Sequence, residues 1–428
     1  MLKKIINAAL ALGTALCFGF ATTAQAQTTD TTEVAPAAQP VVQQASVAEK
    51  PKKKSWYELI SIRGYAQVRY NRLLETNDQL KCEQCDRSLG ENGGLFIRRG
   101  RLIFSGNVSD RLYFYIQPDF ASSASSSALN FFQLRDAYFD VALDKQKEFR
   151  FRIGQSKIPY GFENLQSSSN RLTLDRADAL NSAIANERDL GVMFYWAPEK
   201  IRERFSMLTD EGLKGSGDYG VVGIGIFNGQ TANKPEANNT QHVVARVSYP
   251  LQVGSKQIIE PGLQAYTGKY VITADQISSG VTVASEDLLK KGFTDQRIAA
   301  SLVVYPQPFG FQTEYNLGRG PEFDPATSSI KVKRLHGGYA QAMYRMKLNE
   351  QVLIPFVKVQ HYDGGKKHER DATSHTVYET EIGLEWLAFK NLELTADYSI
   401  GDRTTRNAAN PDNRQHGSRL RLQAQFNF

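Results

Sequence analysis

Apolar and polar residues alternate with a period of two along most of this chain. In "SIRGYAQVRYN", Ile62, Ala66, Val68 and Tyr70 fall on one side and Arg63, Gln67, Arg69 and Asn71 on the other. "RLYFYIQPDF" sets Leu112, Phe114, Ile116 and Phe120 against Arg111, Tyr113, Gln117 and Asp119. "EFRFRIG" and "HVVARVSY" repeat the pattern, and the chain ends on it in "RLRLQAQFNF". Successive side chains of a strand point to opposite faces, so each segment predicts a strand with one apolar and one polar face. Two segments, "FIRRGRLIFSGNV" and "FQLRDAYFDVAL", break phase midway, and the inward or outward direction of their residues stays open.

The links between strands add a second rhythm. Read back from the C-terminus, short "LAFKN", "KLNEQ" and "PQPFG" alternate with long "GDRTTRNAANPDNRQHG", "DGGKKHERDATSH" and "GRGPEFDPATSSIKVK". Short turns at one end and long loops at the other mark an up-and-down barrel of the outer membrane. Seventeen candidate strands include the doubtful "IRERFSML". Treating that segment as a periplasmic excursion restores an even number, about 16, at roughly 23 residues per strand and link. The expected fold is all-β: a transmembrane antiparallel barrel over residues 56–428. Such a barrel must close, because backbone groups facing lipid find no other partner. The final strand would then pair with the first, and the terminal Phe428 resembles the signal read by outer-membrane assembly machinery.

The N-terminus agrees with export. "MLKK", the apolar "IINAALALGTALCFGFA" and "AQA" form a signal peptide over residues 1–26. Residues 27–55 lack an aromatic residue until the edge of the barrel domain and are rich in Thr, Ala, Gln, Pro and Lys, which predicts a flexible periplasmic tether. No later stretch of 18 apolar residues exists, so no transmembrane helix is expected. The formal charge of +6 falls to +4 once Lys3 and Lys4 leave with the signal (6 − 2), too little to argue for nucleic acid. Cys82 and Cys85 in "KCEQCD" lack the further ligands of a zinc site, and suit a local loop disulfide better. Nothing points to a cofactor or a metal.

Several segments resemble the phosphate-selective porin O and P family: "FIRRGRLIFSGNV", "LRDAYFDVAL", "FRIGQSKIPYGFE", "LDRADAL" followed by "ERDLGV", and "GIGIFNG". Where that family usually carries Glu-Arg, this chain has Asp175-Arg176. The resemblance implies a barrel of about 16 strands, usually a homotrimer, that passes small anions by passive diffusion. It also implies that the long third external loop, residues 157–189, folds inward and narrows the barrel. Ala177, Leu180 and Ile184 sit at helical spacing, so a short helix there packs its apolar side on the inner wall. Lys157, Arg171, Arg176 and Arg188 are the constriction candidates, set against pairing with Asp175, Asp178, Glu187 and Asp189 that would merely hold the loop.

Polar strand faces supply further candidates: Arg63, Arg69, Arg150, Arg152, Arg246, Arg297, Arg345, Lys358, Arg419 and Arg421. Against them, "YETEIGLEW" turns Glu379, Glu381 and Glu385 to one face, joined by Glu314, Glu393 and Asp397. A lumen basic on one side and acidic on the other predicts a transverse field and modest selectivity. The expected role is a water-filled channel for small polar or anionic solutes, phosphate among them, set in lipid and lipopolysaccharide. The alternative is a surface adhesin or assembly barrel whose loops carry the function. An enzyme is not expected: no GxSxG, HExxH or phosphate-binding glycine loop occurs, and His361, His368 and His375 read as solvated loop surface. A secreted glycan-binding sandwich would carry polar outer faces, where these read Phe, Leu, Ile, Val and Tyr.

Overall fold

The structure is a computed structural model, and it describes residues 56–73, 94–122 and 130–428. The signal peptide, the tether and the Cys82–Cys85 loop lie outside the described residues. Sixteen antiparallel strands form one closed barrel. They are β1 (Ser61–Leu73), β2 (Gly94–Asn107), β3 (Leu112–Ser122), β4 (Asn130–Ala142), β5 (Phe149–Lys157), β6 (Arg188–Trp196), β7 (Val222–Phe227) and β8 (His242–Ser248). The second half is β9 (Gln257–Tyr270), β10 (Phe293–Val304), β11 (Phe309–Asp324), β12 (Ser329–Tyr344), β13 (Gln351–Gly365), β14 (Ser374–Phe389), β15 (Leu392–Arg406) and β16 (Asn413–Asn427). Three shorter segments, Leu251–Val253, Thr282–Val283 and Met346–Leu348, pair with β9, β12 and β13.

Every strand pairs with its sequence neighbours, and β16 returns to β1, with Ala66 opposite Phe426 and Tyr70 opposite Leu422. The seam is finished by Phe428, whose N–H donates to Gly64 O at 3.0 Å while Gly64 N–H donates to Phe428 O at 2.8 Å. Gly64 is required by this close approach: a Cβ there would stand 2.4 Å from Arg101 O and 2.6 Å from the Phe428 ring. Phe428 thus joins the seam through its backbone, with its ring lying against Gly64.

Burial runs opposite to that of a soluble protein. Outward Ile62 (64%), Phe132 (64%) and Ile382 (59%) are exposed, while inward Gln67, Asn316 and Glu385 are fully buried. Only a lipid surround makes such an outer face stable. Exposed Phe309, Tyr344, Phe389 and Phe428 ring the end that carries the short links, which is the periplasmic end of such barrels.

As its exclusion from the strand count required, "IRERFSML" is not a strand; it is the core of a helix, α3 (Glu199–Asp210), in the link between β6 and β7. Ile201, Phe205 and Leu208, at i, i+4 and i+7, form its buried stripe. The late external links are shorter than the polar composition suggested. β11 and β12 continue almost to the turn at 325–328, and β13 to β16 leave only 366–373 and 407–412. Polar residues beyond the lipid band keep pairing their backbones, so polarity alone does not mark a strand's end.

Candidate functional site

The long link 158–187 joins β5 to β6 and carries two single-turn helices, α1 (Phe162–Leu165) and α2 (Asp178–Asn181). Its apolar residues Ala177, Leu180 and Ile184 are buried in one cluster with Tyr266, Leu335, Tyr339 and Tyr362 from β9, β12 and β13. Polar bonds surround that cluster. Glu314 on β11 accepts the backbone N–H groups of Phe162 and Glu163 at 2.6 and 2.7 Å. Lys358 on β13 meets Glu163 at 2.5 Å, and Arg403 on β15 and Lys366 both meet Asp178, at 2.9 and 2.5 Å. Arg297 on β10 donates to Ser182 Oγ and O, and Arg421 on β16 meets Asp175 at 2.5 Å. The link is therefore bonded to the buried polar face of strands β10 to β16.

The link 197–221 reaches the same region from the other end. Leu208 and Leu213 pack with Phe162 and with Ile258, Val303 and Tyr305 of the wall. Gln166 donates to Lys214 O at 2.6 Å, Asn170 to Gly215 O at 2.7 Å, and Lys214 pairs with Glu385 at 2.5 Å. The long link also meets β1, β2 and β4, through Ser168, Leu174 and Asn186, and an open space lies between it and the wall of β1 to β6. A cavity of about 690 Å³ is bounded there by inward residues of these strands, by 165–169 of the long link and by α3 and 216–219.

That placement sorts the candidate residues. Arg63, Arg150, Arg152, Lys157 and Arg188 line the cavity. Lys157 Nζ donates to two carbonyls, Leu165 O and Gln166 O, both at 2.7 Å, and the side chain borders the cavity. Arg188 meets Asp136 at 2.9 Å and Glu187 at 2.5 Å. Arg176 pairs with Glu187, while Arg171 donates to Leu174 O and, among the described residues, its Nε and Nη1 have no hydrogen-bond partner. Arg69, Arg297 and Lys358 instead hold the long link, and Arg246 pairs with Glu260 at 3.1 Å. Arg345 stands at the periplasmic end and donates to Glu211 O.

The acidic face is not a free wall. Glu379 is paired with Arg403 and Arg419, Glu381 with Arg421 and Glu385 with Lys214, all at 5% exposure or less. These three carboxylates are each offset by a buried base, whereas Glu314, expected on the same face, accepts two backbone N–H groups and the Tyr339 hydroxyl.

Sequence reasoning missed Arg99, Arg101 and Arg135, because they lie in the two phase-breaking strands. β2 opposes Gln67 with Arg99 and Val68 with Ile97, so Arg98 is an extra residue. β4 opposes Gln117 with Asp136 and Pro118 with Leu134, leaving Arg135 extra. A bulge reverses which face the following residues take. Leu95 and Ile97 therefore point out, while Arg99 and Arg101 are buried within. Arg101 reaches Asp119 at 2.8 Å and Ser168 Oγ of the long link at 3.2 Å; Arg135 reaches Asn186 Oδ1 at 3.0 Å. The phase break was itself the available clue.

Aromatic rings accompany the bases in the cavity. Tyr115 and Tyr138 stack with centroids 5.1 Å apart and planes 12° apart, and the Arg152 guanidinium lies 4.0 Å from the Tyr138 centroid. Arg152 is also held by Asp140 at 2.8 Å. Among the described residues, no group of three or more His, Cys, Asp or Glu is arranged to hold a metal ion. His361, His368 and His375 separate: the first stacks on Tyr378, the second accepts from Ala185 N–H, and the third meets Glu369.

A closed sixteen-strand barrel with an apolar exterior and a charged interior cavity defines a channel protein of the bacterial outer membrane. The chain belongs to the family Phosphate-selective porin O and P, whose family model matches residues 76–428. Its fold is similar to the outer membrane channel DcaP of Acinetobacter baumannii, with TM-score 0.54 at 13% identity, over 86% of this chain and 97% of that one. It is similar also to OmpF of Salmonella typhi, solved with daunomycin, with TM-score 0.52 at 13% identity, over the same 86% and 97%. A comparison with curated proteins gives no match.

Proposed function

We propose that small polar anions cross this porin along the wall of β1 to β6, past a constriction between that wall and the long link 158–187. The observation that carries the reading is the lining of the 690 Å³ cavity: eight bases (Arg63, Arg111, Lys147, Arg150, Arg152, Lys157, Arg188 and Arg202) against four acids (Asp136, Asp140, Asp210 and Asp218). A basic lining between low-dielectric walls concentrates anions and repels cations. Arg99, Arg101, Arg135, Arg171 and Arg176 extend the basic surface beyond Lys157 and Arg188, with Asp119 and Glu187 compensating only in part. Guanidinium forks at this depth suit carboxylate and phosphate groups alike.

The test is the reversal potential of the refolded protein in a planar bilayer under a KCl gradient, repeated with added phosphate. The reading requires anion preference, and phosphate occupancy of the constriction lowers chloride current. A conductance without charge preference would overturn it. We also read the protein as a homotrimer in lipid and lipopolysaccharide, with Phe428 serving the assembly machinery; chemical cross-linking of the detergent-extracted protein tests the trimer.

A further inference from the structure

On the outside of the barrel, Arg319 of β11 and Arg334 of β12 stand directly opposite each other across one strand pair. Both side chains are exposed. Like charges placed directly opposite destabilise a sheet unless an anion is shared between them. Among the described residues no carboxylate lies within ion-pair distance of either: Arg319 donates from Nε and Nη2 to Gln296 Oε1, at 2.9 and 2.8 Å. The nearest outward acid by register, Asp363, faces His336 and accepts from Thr376 Oγ1. The barrel therefore presents two guanidinium groups side by side with their charge unspent.

Their height matters as much as their charge. The same hairpin begins at the periplasmic rim with Phe309 opposite Tyr344, both exposed aromatics. Arg319 lies ten residues beyond Phe309 (319 − 309). That is about 33 Å along the strand, or about 25 Å of height at a tilt near 40°, the thickness of an outer-membrane barrel's apolar band. The arginine pair thus sits at the external edge of the lipid, where headgroups begin. Beneath it an outward groove of about 580 Å³ is lined by Ile298, Leu317 and Gly318, with His336 in the same row as Leu317 and Ile298 and with Gln296 level with Arg319 at the upper margin.

We propose that this face is a binding site for a phosphorylated membrane lipid of the outer leaflet, its phosphate held between Arg319 and Arg334 and an acyl chain lying along Leu317 and Ile298. A soluble anion would gain nothing from the apolar groove, and an uncharged lipid nothing from the arginines. Charge and hydrophobicity coincide only in an anionic amphiphile.

The experiment is native mass spectrometry of the full refolded protein in non-ionic detergent, titrated with lipid A, a bisphosphorylated glycolipid, and with its dephosphorylated counterpart. Lipid A is expected to bind more tightly, to resist millimolar inorganic phosphate, and to bind about twenty-five-fold more weakly to R319Q/R334Q, at about fivefold per arginine. Leu317→Asn, which keeps both charges, is expected to weaken lipid A without changing the response to inorganic phosphate. Heat-modifiable gel mobility and single-channel conductance of the variants report that the barrel is intact. Equal binding of both lipids, or unchanged binding by R319Q/R334Q, overturns the proposal. Displacement by inorganic phosphate would mean a free-anion site, and loss of oligomer with lipid binding unchanged would mean a contact between copies; either result rejects the lipid.

Discussion

The ammonium of Lys358 and the carboxylate of Glu163 lie 2.5 Å apart, both buried, and join the middle of a barrel strand to the long link between β5 and β6. Glu163 also accepts from Ala177 N–H at 2.8 Å, so one carboxylate fixes α1, the approach to α2 and the wall together. Removing one partner of such a buried pair costs about 3–5 kcal/mol, because the other charge stays buried alone. Lys358→Met is expected to loosen the link, raising single-channel conductance and its flicker. Lys358→Met with Glu163→Gln is expected to recover part of the steadiness, because neither charge then remains. Current recordings of the two variants check this.

Lys157 carries its charge among carbonyls rather than carboxylates, in direct view of the cavity. One charge at about 4 Å in water is worth about 1 kcal/mol, or about fivefold in a permeability ratio. Lys157→Gln is expected to lower the anion-to-cation ratio by up to about that factor, read as a reversal potential moving toward zero.

Glu379 behaves in the opposite way. It is spent on Arg403 and Arg419, behind the packed link. Glu379→Gln is expected to leave the reversal potential unchanged while lowering the thermal stability of the barrel. A transverse-field lumen would instead show a gain in anion preference.

Asp218 ties the 197–221 link to the wall through Arg150 at 2.8 Å and braces the link internally through Arg202 of α3 at 2.9 Å. Burial pushes its pKa up, but the two arginines outweigh that and hold it below the usual carboxylate value. A carboxyl depressed in the folded state contributes stability above its unfolded pKa, about 3.9, and loses it as pH falls through the lower folded value. Below about pH 4 the link is expected to loosen, visible as faster proteolysis near α3. Asp218→Asn should show that looseness at neutral pH and little further change on acidification.

The seam at Gly64 admits no side chain. Gly64→Val is expected to prevent closure against Phe428, and the heat-modifiable form should disappear from gels.

Much of this fold was legible because lipid enforces a strict alternation: the faces of β1, β3, β5, β8 and β16 follow directly from period two. The strand number was legible from parity and link rhythm. What stayed hidden has one physical cause, that alternation describes a strand's faces and not what fills the space behind them. Arg69, Arg297 and Lys358 have the same pattern as Arg150 and Arg152, yet the first three meet the packed link and the last two meet open space. Lys366 and Lys367, in a stretch composed like solvated loop, are buried against Asp178 and Asp295. The bulges at Arg98 and Arg135 removed the alternation where the buried arginines begin.

The central claim is that solutes pass on the β1–β6 side and not behind the long link. It is tested most directly by thiol accessibility from solution, in a background with Cys82 and Cys85 replaced by Ser. Tyr115→Cys lies on the cavity and Gln360→Cys lies behind the link, where Gln360 accepts from Asp178 N–H. A negatively charged thiol reagent added to the bilayer chamber should cut the current of Tyr115→Cys within the recording and leave Gln360→Cys unaffected. Rapid block of Gln360→Cys with Tyr115→Cys untouched would contradict the account.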